Sequence, residues 1–244
     1  MILRQFLHTD PVSISYLFGC GGKGTVAVVD PAAEIENYLD AAKAANVKID
    51  YVIDTHVHAD HISTGRALAD AANAEYILSA NADLGVAFRG VRDGDEIVVG
   101  NVVIRILETP GHTPEHITLL VTDRTRAEEP WFIVTGHTLM IGDLGRTELA
   151  VTAEQGAKDM FRSIQKLKAL PDYLQVFPGA FSGSVCGRKL SANPVSTLGY
   201  EKRYNKAFAI DNEVYFIDFM LKDIPPAPPE AARLRAINSR RAVV

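Results

Sequence analysis

Cysteine is nearly absent from this chain: two residues, Cys20 and Cys186, in 244. That excludes a disulfide scaffold, and the pair lacks the spacing of a zinc–thiolate site, so both read as small buried or loop residues. No apolar run reaches the roughly 18 residues of a membrane span. The opening Met1-Ile-Leu-Arg-Gln-Phe-Leu-His8 also lacks the basic head, apolar stretch and small-residue cleavage site of a signal peptide. The expectation is a cytoplasmic protein with no membrane span. Positive charge is not in excess: the net charge is -5 and lysine and arginine are scattered, which leaves no electrostatic footprint for nucleic acid. Histidine is scarce too, with 7 residues.

What is present describes an ordinary folded chain. An apolar fraction of 47% and a charged fraction of 23% argue against disorder, and the length suits one large sandwich domain with a C-terminal cap. Residues 13–18 and 25–29, separated by Cys20-Gly-Gly-Lys-Gly24, predict a hairpin feeding a buried strand. Apolar positions Ile35, Tyr38, Leu39 and Ala42 predict a helix over 33–46, and a strand follows at 49–53. Ser63 can cap a helix through 65–72. Short strands are expected at 75–78, 96–99, 102–107, 117–121 and 131–134, with a charged hairpin tip at 122–130. Thr152 and Gln155 form a capping box for a helix over 152–169, whose Ala157, Met160, Phe161, Ile164 and Leu167 are core. From Ile224 the tail is Pro-rich, then basic, and suits packing or a subunit contact. Strands followed by helix, repeated once, predict two β-sheets packed face to face and covered by helices.

The chemistry is concentrated in Thr55-His-Val-His-Ala-Asp-His61, directly after the strand ending at Ile53. In extended chain His56, His58 and Asp60 share a face, and a turn brings His61 round. Imidazoles suit zinc, iron, copper and nickel, and a neighbouring carboxylate can ligate or orient a ring. A cation held by one loop is weakly held, so further ligands are expected from other strand ends. Two candidates follow strands: His112 in Glu108-Thr-Pro-Gly-His-Thr-Pro114, and His137 in Val134-Thr-Gly-His-Thr138. Asp143, flanked by Gly142 and Gly145, can fold back as a carboxylate ligand or serve as a turn residue. Arg146 can pair with Asp60 or another buried carboxylate and orient it.

In this order and spacing, His56-Val-His-Ala-Asp-His61, Thr109-Pro-Gly-His112-Thr113 and Thr135-Gly-His137 through Gly145-Arg-Thr147 resemble the metallo-β-lactamase fold superfamily, and within it the persulfide dioxygenase branch. The likeness runs over residues 1–210 and includes Cys186-Gly-Arg188 and Ser196 through Asn205. It implies an α+β protein, an αββα sandwich of two packed sheets flanked by helices. The catalytic domain would span 1–210, with 211–244 as a C-terminal helix and Pro-rich tail packed on it. It also implies His56, His58 and His112 around a first metal position, with Asp60 and His61 available to a second. Iron would be held by His56, His112 and the residue at 137. Two departures stand out. The family's aspartate after Thr-Gly is His137 here, and its Pro-Gly-His appears as Pro178-Gly-Ala180, which argues against a dinuclear centre of the glyoxalase II type. Three neutral imidazoles leave the centre one charge more positive than with the aspartate.

The function implied is a mononuclear Fe(II) persulfide dioxygenase that takes glutathione persulfide and O2 to sulfite and glutathione. Asp60, His61 and Arg146 are its candidate catalytic residues, and Arg188, Lys202 and Arg203 candidates for the thiol portion of the substrate. The alternatives are a Zn(II) hydrolase of thioesters, lactones or β-lactams, and a degenerate interaction or sulfur-carrier module. A rhodanese-type sulfur donor and a homodimer are compatible with either enzyme.

Overall fold

The structure, a computed structural model, describes residues 1–222 and 224–240; residues 241–244 of the basic tail lie outside them. The chain opens with an antiparallel hairpin of β1 (Ile2–Thr9) and β2 (Val12–Cys20), to which β3 (Thr25–Val29) adds antiparallel. Helix α1 (Ile35–Ala44) then crosses to β4 (Lys48–Ile53) and α2 (Gly65–Ala72) to β5 (Glu75–Ser79). With β6 (Arg89–Val91) these strands add in parallel, giving a six-stranded sheet in sequence order. The second sheet starts as an antiparallel meander of β7 (Glu96–Val99), β8 (Val102–Glu108), β9 (Ile117–Asp123) and β10 (Phe132–Gly136). A two-stranded ribbon, β11 (Leu139–Met140) with β12 (Asp143–Leu144), precedes helix α3 (Ala153–Lys168). Strand β13 (Gln175–Pro178) then pairs parallel to β10, and β14 (Ser196–Thr197) closes that edge. Helices α4 (Leu198–Tyr204), α5 (Glu213–Leu221) and α6 (Ala231–Ser239) complete the chain.

Alternation along the strands builds the layers. Tyr16, Phe18, Ala27, Val29, Ile53 and Ile77 of the first sheet meet Ile104, Ile106, Leu119, Val121, Phe132 and Phe177 of the second in a dry central core. The opposite faces are covered as well. Leu17, Val26, Val28 and Val52 pack on Tyr38, Ala41, Leu68 and Ala69 of the first two helices, and Ile133 and Val176 pack on Ala157, Met160, Ile164 and Leu167 of α3, with Phe216 of α5. This is the expected α+β arrangement of two packed sheets between helices. The N-cap half of the expected box forms, Thr152 Oγ1 accepting from Gln155 N at 3.3 Å, while the Gln155 side chain donates to Asp159 instead. Strand β1, the short strands β6 and β11 to β14, and helix α4 were not anticipated. The first is an edge strand whose exposure alternates poorly. Helix α5 is capped by Asn212, its Oδ1 accepting from Tyr215 N. Among the described residues no helix is long and apolar enough to cross a membrane.

Strands β8 and β10 both run antiparallel to β9, and β13 runs with β10, so their C-terminal ends share one rim of the second sheet. The C-terminal end of β4 reaches the same rim, where Ile117 N donates to Thr55 O at 2.9 Å. Every histidine-bearing segment singled out in the sequence leaves a strand there.

Candidate metal centre

Two carboxylates at adjacent strand ends set the first loop. Asp30, just past β3, accepts from Thr55 N (2.7 Å), Thr55 Oγ1 (2.9 Å) and the Nε2 of His58 (3.2 Å). Asp54, just past β4, accepts from Ser63 Oγ (2.6 Å) and Tyr76 Oη (2.7 Å). With Nε2 of His58 on Asp30, its Nδ1 turns inward. Burial alone would lower the His58 pKa, but the bond to Asp30 and the nearby Asp60 carboxylate outweigh it and hold the ring well above the ordinary imidazole value. Asp60 shows the converse: burial would raise it, yet His61, hydrogen-bonded to it, and the nearby His58 ring keep it well below the usual carboxylate range.

His112 and His137 are placed by backbone that only glycine tolerates. Gly111 has φ +146, and a Cβ there would lie 2.6 Å from Met160 Cα; Gly136 has φ +48, and a Cβ there would lie 2.5 Å from His116 Nε2. The Nδ1 of His112 donates to the Arg146 carbonyl at 2.7 Å, which leaves Nε2 bare toward the centre. Burial, then His137, pushes His112 down to about 3. His137 N donates to Nε2 of His116 at 3.0 Å, and the His116 Nδ1 lies 3.1 and 3.0 Å from the hydroxyls of Thr109 and Thr138. Burial holds His116 well below the imidazole value, so its neutral ring can accept that backbone bond. His56, also lowered by burial, meets Thr55 Oγ1 through Nδ1 at 2.9 Å.

The result is a triangle. One ligand atom each of His56, His112 and His137 lies within 4.8 Å of the others, and the ring centroids are 4.8 to 4.9 Å apart. His112 Nε2 and His137 Nδ1 are 3.2 Å apart, close to the roughly 3.3 Å edge of a tetrahedron with metal–nitrogen bonds of about 2.0–2.1 Å. Beside it, His58, Asp60 and His61 form a second group. Asp60 Oδ1 lies 3.0 Å from His61 Nδ1 and 3.7 Å from His58 Nδ1. His56 Nε2, His58 Nδ1, Asp60 Oδ2 and His61 Nε2 are buried without a hydrogen-bond partner. Leaving such atoms unpaired costs roughly 1–3 kcal/mol each, and gathering four in one place fits a cation-binding role.

All six expected metal-site residues, His56, His58, Asp60, His61, His112 and His137, therefore meet. Arg146 does not turn to Asp60. Its guanidinium pairs with Glu148 and donates to the carbonyls of Val185, Pro225 and Pro226, while its own carbonyl fixes His112. Asp143 is occupied as well, both oxygens accepting from Leu144 N, Arg188 N, Lys189 N and Arg188 Nη2. The three basic candidates do not converge on the histidines. Arg188 lies on Asp143 and over the Phe219 ring, Lys202 pairs with Asp172 at 2.6 Å, and Arg203 is exposed on α4.

Several contributors lie outside the expected set. His116 sits four residues beyond His112, and that spacing was a usable signal. Cys186 is buried, with its sulfur within 4.8 Å of ligand atoms of Asp60 and His137; burial, then Asp60, pushes its thiol up. Helix α6 braces the loop from outside. Asn238 Nδ2 donates to the carbonyls of His58 (2.8 Å) and His61 (2.7 Å), and its Oδ1 accepts from Ser63 N. Arg235 donates to Val57 O and forks onto Glu115, whose Oε1 also accepts from Val57 N.

A sequence profile of the Metallo-beta-lactamase superfamily matches residues 9–179. A probable polyketide biosynthesis zinc-dependent hydrolase of Bacillus velezensis is 29% identical over 213 residues, 84% of this chain and 85% of that protein. The mitochondrial persulfide dioxygenase ETHE1 of Homo sapiens is 29% identical over 215 residues, 83% of this chain and 78% of that protein. Among solved structures, a metallo-β-lactamase from Staphylococcus aureus subsp. aureus COL superposes with a TM-score of 0.93 at 38% identity, covering 98% of this chain and 72% of that one. ETHE1 from Myxococcus xanthus gives 0.84 at 29%, covering 98% and 99%.

Proposed function

This chain belongs to the metallo-β-lactamase superfamily, and from that premise we propose that it is an iron-dependent persulfide dioxygenase acting on glutathione persulfide. The observation that carries the reading is the triangle of His56, His112 and His137, together with likeness to a persulfide dioxygenase over 83% of the chain. Iron(II) in that triangle would supply open coordination positions for a sulfur anion and dioxygen. The net change consumes one persulfide, one dioxygen and one water and yields sulfite, glutathione and two protons; dioxygen takes the four electrons.

The protein's part is to hold and to exclude. The Arg146 carbonyl and Thr55 hydroxyl fix the tautomers of His112 and His56, so that both present a bare Nε2. Asp60, held ionised beside His61, places one negative charge next to three neutral rings, a partial substitute for the aspartate that His137 replaces. The donors are 1 to 4% exposed, which keeps bulk water off the reacting sulfur. For the glutathione carboxylates, Arg203 is free to respond, whereas Arg188 and Lys202 must first leave Asp143 and Asp172.

A second reading, zinc-dependent hydrolysis of a thioester, lactone or β-lactam, is favoured by the His58–Asp60–His61 group beside the triangle and by the zinc-dependent hydrolase among the relatives. Metal analysis of the chain purified without added metal, combined with oxygen uptake on adding glutathione persulfide, separates the two. Iron with oxygen consumption is the expected result. Zinc with thioester cleavage and no oxygen uptake rejects it for the hydrolase, and a chain that binds no metal under chelator-free, anaerobic handling rejects both.

A further inference from the structure

Six histidines build or brace the metal centre; the seventh, His8, is half-buried near the end of β1. Its Nε2 lies 2.7 Å from Ser15 Oγ and 3.4 Å from Tyr38 Oη, and Ser15 Oγ lies 2.8 Å from the same phenol. Tyr38 Oη also accepts from Ala32 N at 3.0 Å and Ala33 N at 3.4 Å. Those two amides settle the direction of the chain. If Nε2 of His8 donated to Ser15, and Ser15 to Tyr38, the wholly buried phenol would accept three bonds and its own proton would have no acceptor. The opposite sense pairs every proton: Tyr38 donates to Ser15, and Ser15 donates to Nε2 of His8. The neutral ring then carries its proton on Nδ1, and that N–H meets no partner among the described residues. The far end of the chain is closed by backbone amides, so the chain orients the ring and carries no proton through.

This oriented donor stands at the rim that carries the metal centre. Ala32 is two residues from Asp30, which holds His58. The β1–β2 hairpin is pinned there as well: Ile14 N donates to Gly179 O at 2.8 Å, and a Cβ on Gly179 would lie 2.9 Å from His137 Cδ2. Burial, then the field of the His61 ring, lowers the His8 pKa, which keeps the ring neutral. Solvent reaches this edge of the rim, whereas the cavity at the Cys186 edge holds about 20 Å³. We propose that the Nδ1–H of His8 receives a carboxylate of the substrate, which makes His8 a specificity-determining residue at the His61 side of the site. This rests on the dioxygenase reading above. Glutathione persulfide brings two carboxylates, and a hydrogen bond to an ionised acceptor is roughly twice as strong as a neutral one. His8 is also ready without rearrangement, whereas Arg188 and Lys202 are held by Asp143 and Asp172.

The test measures oxygen uptake by the iron-loaded full chain on glutathione persulfide and on the persulfide of mercaptoethanol, which has no carboxylate. His8→Ala should raise KM for the first by about tenfold or more, as expected for one hydrogen bond to a charged group, and leave kcat, iron content and both constants for the second unchanged. His8→Asn keeps an N–H near the Nδ1 position and should stay close to wild type. Imidazole nitrogen NMR of the zinc-loaded wild-type chain gives a readout apart from activity and serves if His8→Ala folds poorly. His8 should show a protonated Nδ1 and a bare Nε2, and its Nδ1 signal should move on adding S-methylglutathione, which has the carboxylates but no thiol. An unchanged KM in His8→Ala, an equal rise for both persulfides, or a ring protonated on Nε2 overturns the proposal and leaves the dioxygenase reading intact. A wild-type chain that takes up no oxygen with either persulfide overturns that reading instead, and the His8 site then stands or falls on the S-methylglutathione shift.

Discussion

At the scale of single residues, the centre is defined by which nitrogen each ring is forbidden to use. His112 has given Nδ1 to the Arg146 carbonyl and His58 has given Nε2 to Asp30, so each has one atom left and it points inward. His112→Ala should therefore abolish metal retention, as read by elemental analysis after dialysis, because the remaining loop donors cannot close the triangle. His137→Asp restores a carboxylate beside the triangle; oxygen uptake equal to or above wild type is expected, and loss of bound metal would show that the ring itself is required. Acid should act through the same rings. His56, His112, His116 and His137 all have depressed values, so the unfolded chain takes up protons below about 6.5 that the fold refuses. For His112, held at about 3, stability lost between pH 7.5 and 5.5 is on the order of 1 kcal/mol. His58, raised instead, contributes stability that is greatest at low pH and lost as pH rises through its folded value, but it is one ring against four. The metal-free chain should melt lower at pH 5.5 than at 7.5, and a melting temperature that rises on acidification would contradict this.

At the scale of elements, α6 is tied to the metal loop rather than merely packed on the sandwich. Asn238→Ala strands two carbonyls and one amide of the His58–Ser63 stretch, a loss of about 2–3 kcal/mol at roughly 1 kcal/mol per bond. Arg235→Ala leaves Glu115, 4% exposed, without its fork; with Arg235 itself partly solvated, the expected loss is also about 2–3 kcal/mol. Urea unfolding measures both. The specific expectation is that Asn238→Ala weakens metal binding tenfold or more in a competition titration, whereas Ile164→Ala, which costs at least as much stability in the α3 layer at about 2–5 kcal/mol, leaves it unchanged. Equal metal affinity in the two variants would reduce α6 to a packing element.

The elements themselves were largely legible. Period-two alternation and the turn residues marked β2, β3, β4 and the meander, and the Thr152 box marked α3, because those signals are local. Strand β13 was not, since Gln175-Val-Phe-Pro178 is a four-residue run that becomes a strand only beside β10. The three basic residues in 188–203 looked like a substrate patch because sequence cannot show that Asp143 and Asp172 already claim two of them.

At the scale of the whole molecule, two sheets and a C-terminal helix converge on one rim, so metal binding and global stability are linked. Free cation at about 100 times its dissociation constant should stabilise the fold by about 2.7 kcal/mol, or roughly 5–10 °C in a chain of this size. Thermal melts before and after chelation check this. The site is also closed. The cavity lined by Arg146, Cys186, Met220 and Pro225 holds about 20 Å³, room for about one water, and Arg146 ties the Pro225 and Pro226 carbonyls across it.

Sequence by itself marked the histidine-and-aspartate loop, the strand ends that carry the other two histidines and the superfamily, because ligand spacing within one loop and alternation within one strand are short-range properties. Only the tertiary structure decided that Cys186 reaches Asp60, that Arg146 serves His112 through its backbone, and that Asn238 grips carbonyls up to 180 residues away. Those outcomes depend on where separate strand ends and the final helix come to rest when the sheets close on their common core, and no local pattern encodes that meeting.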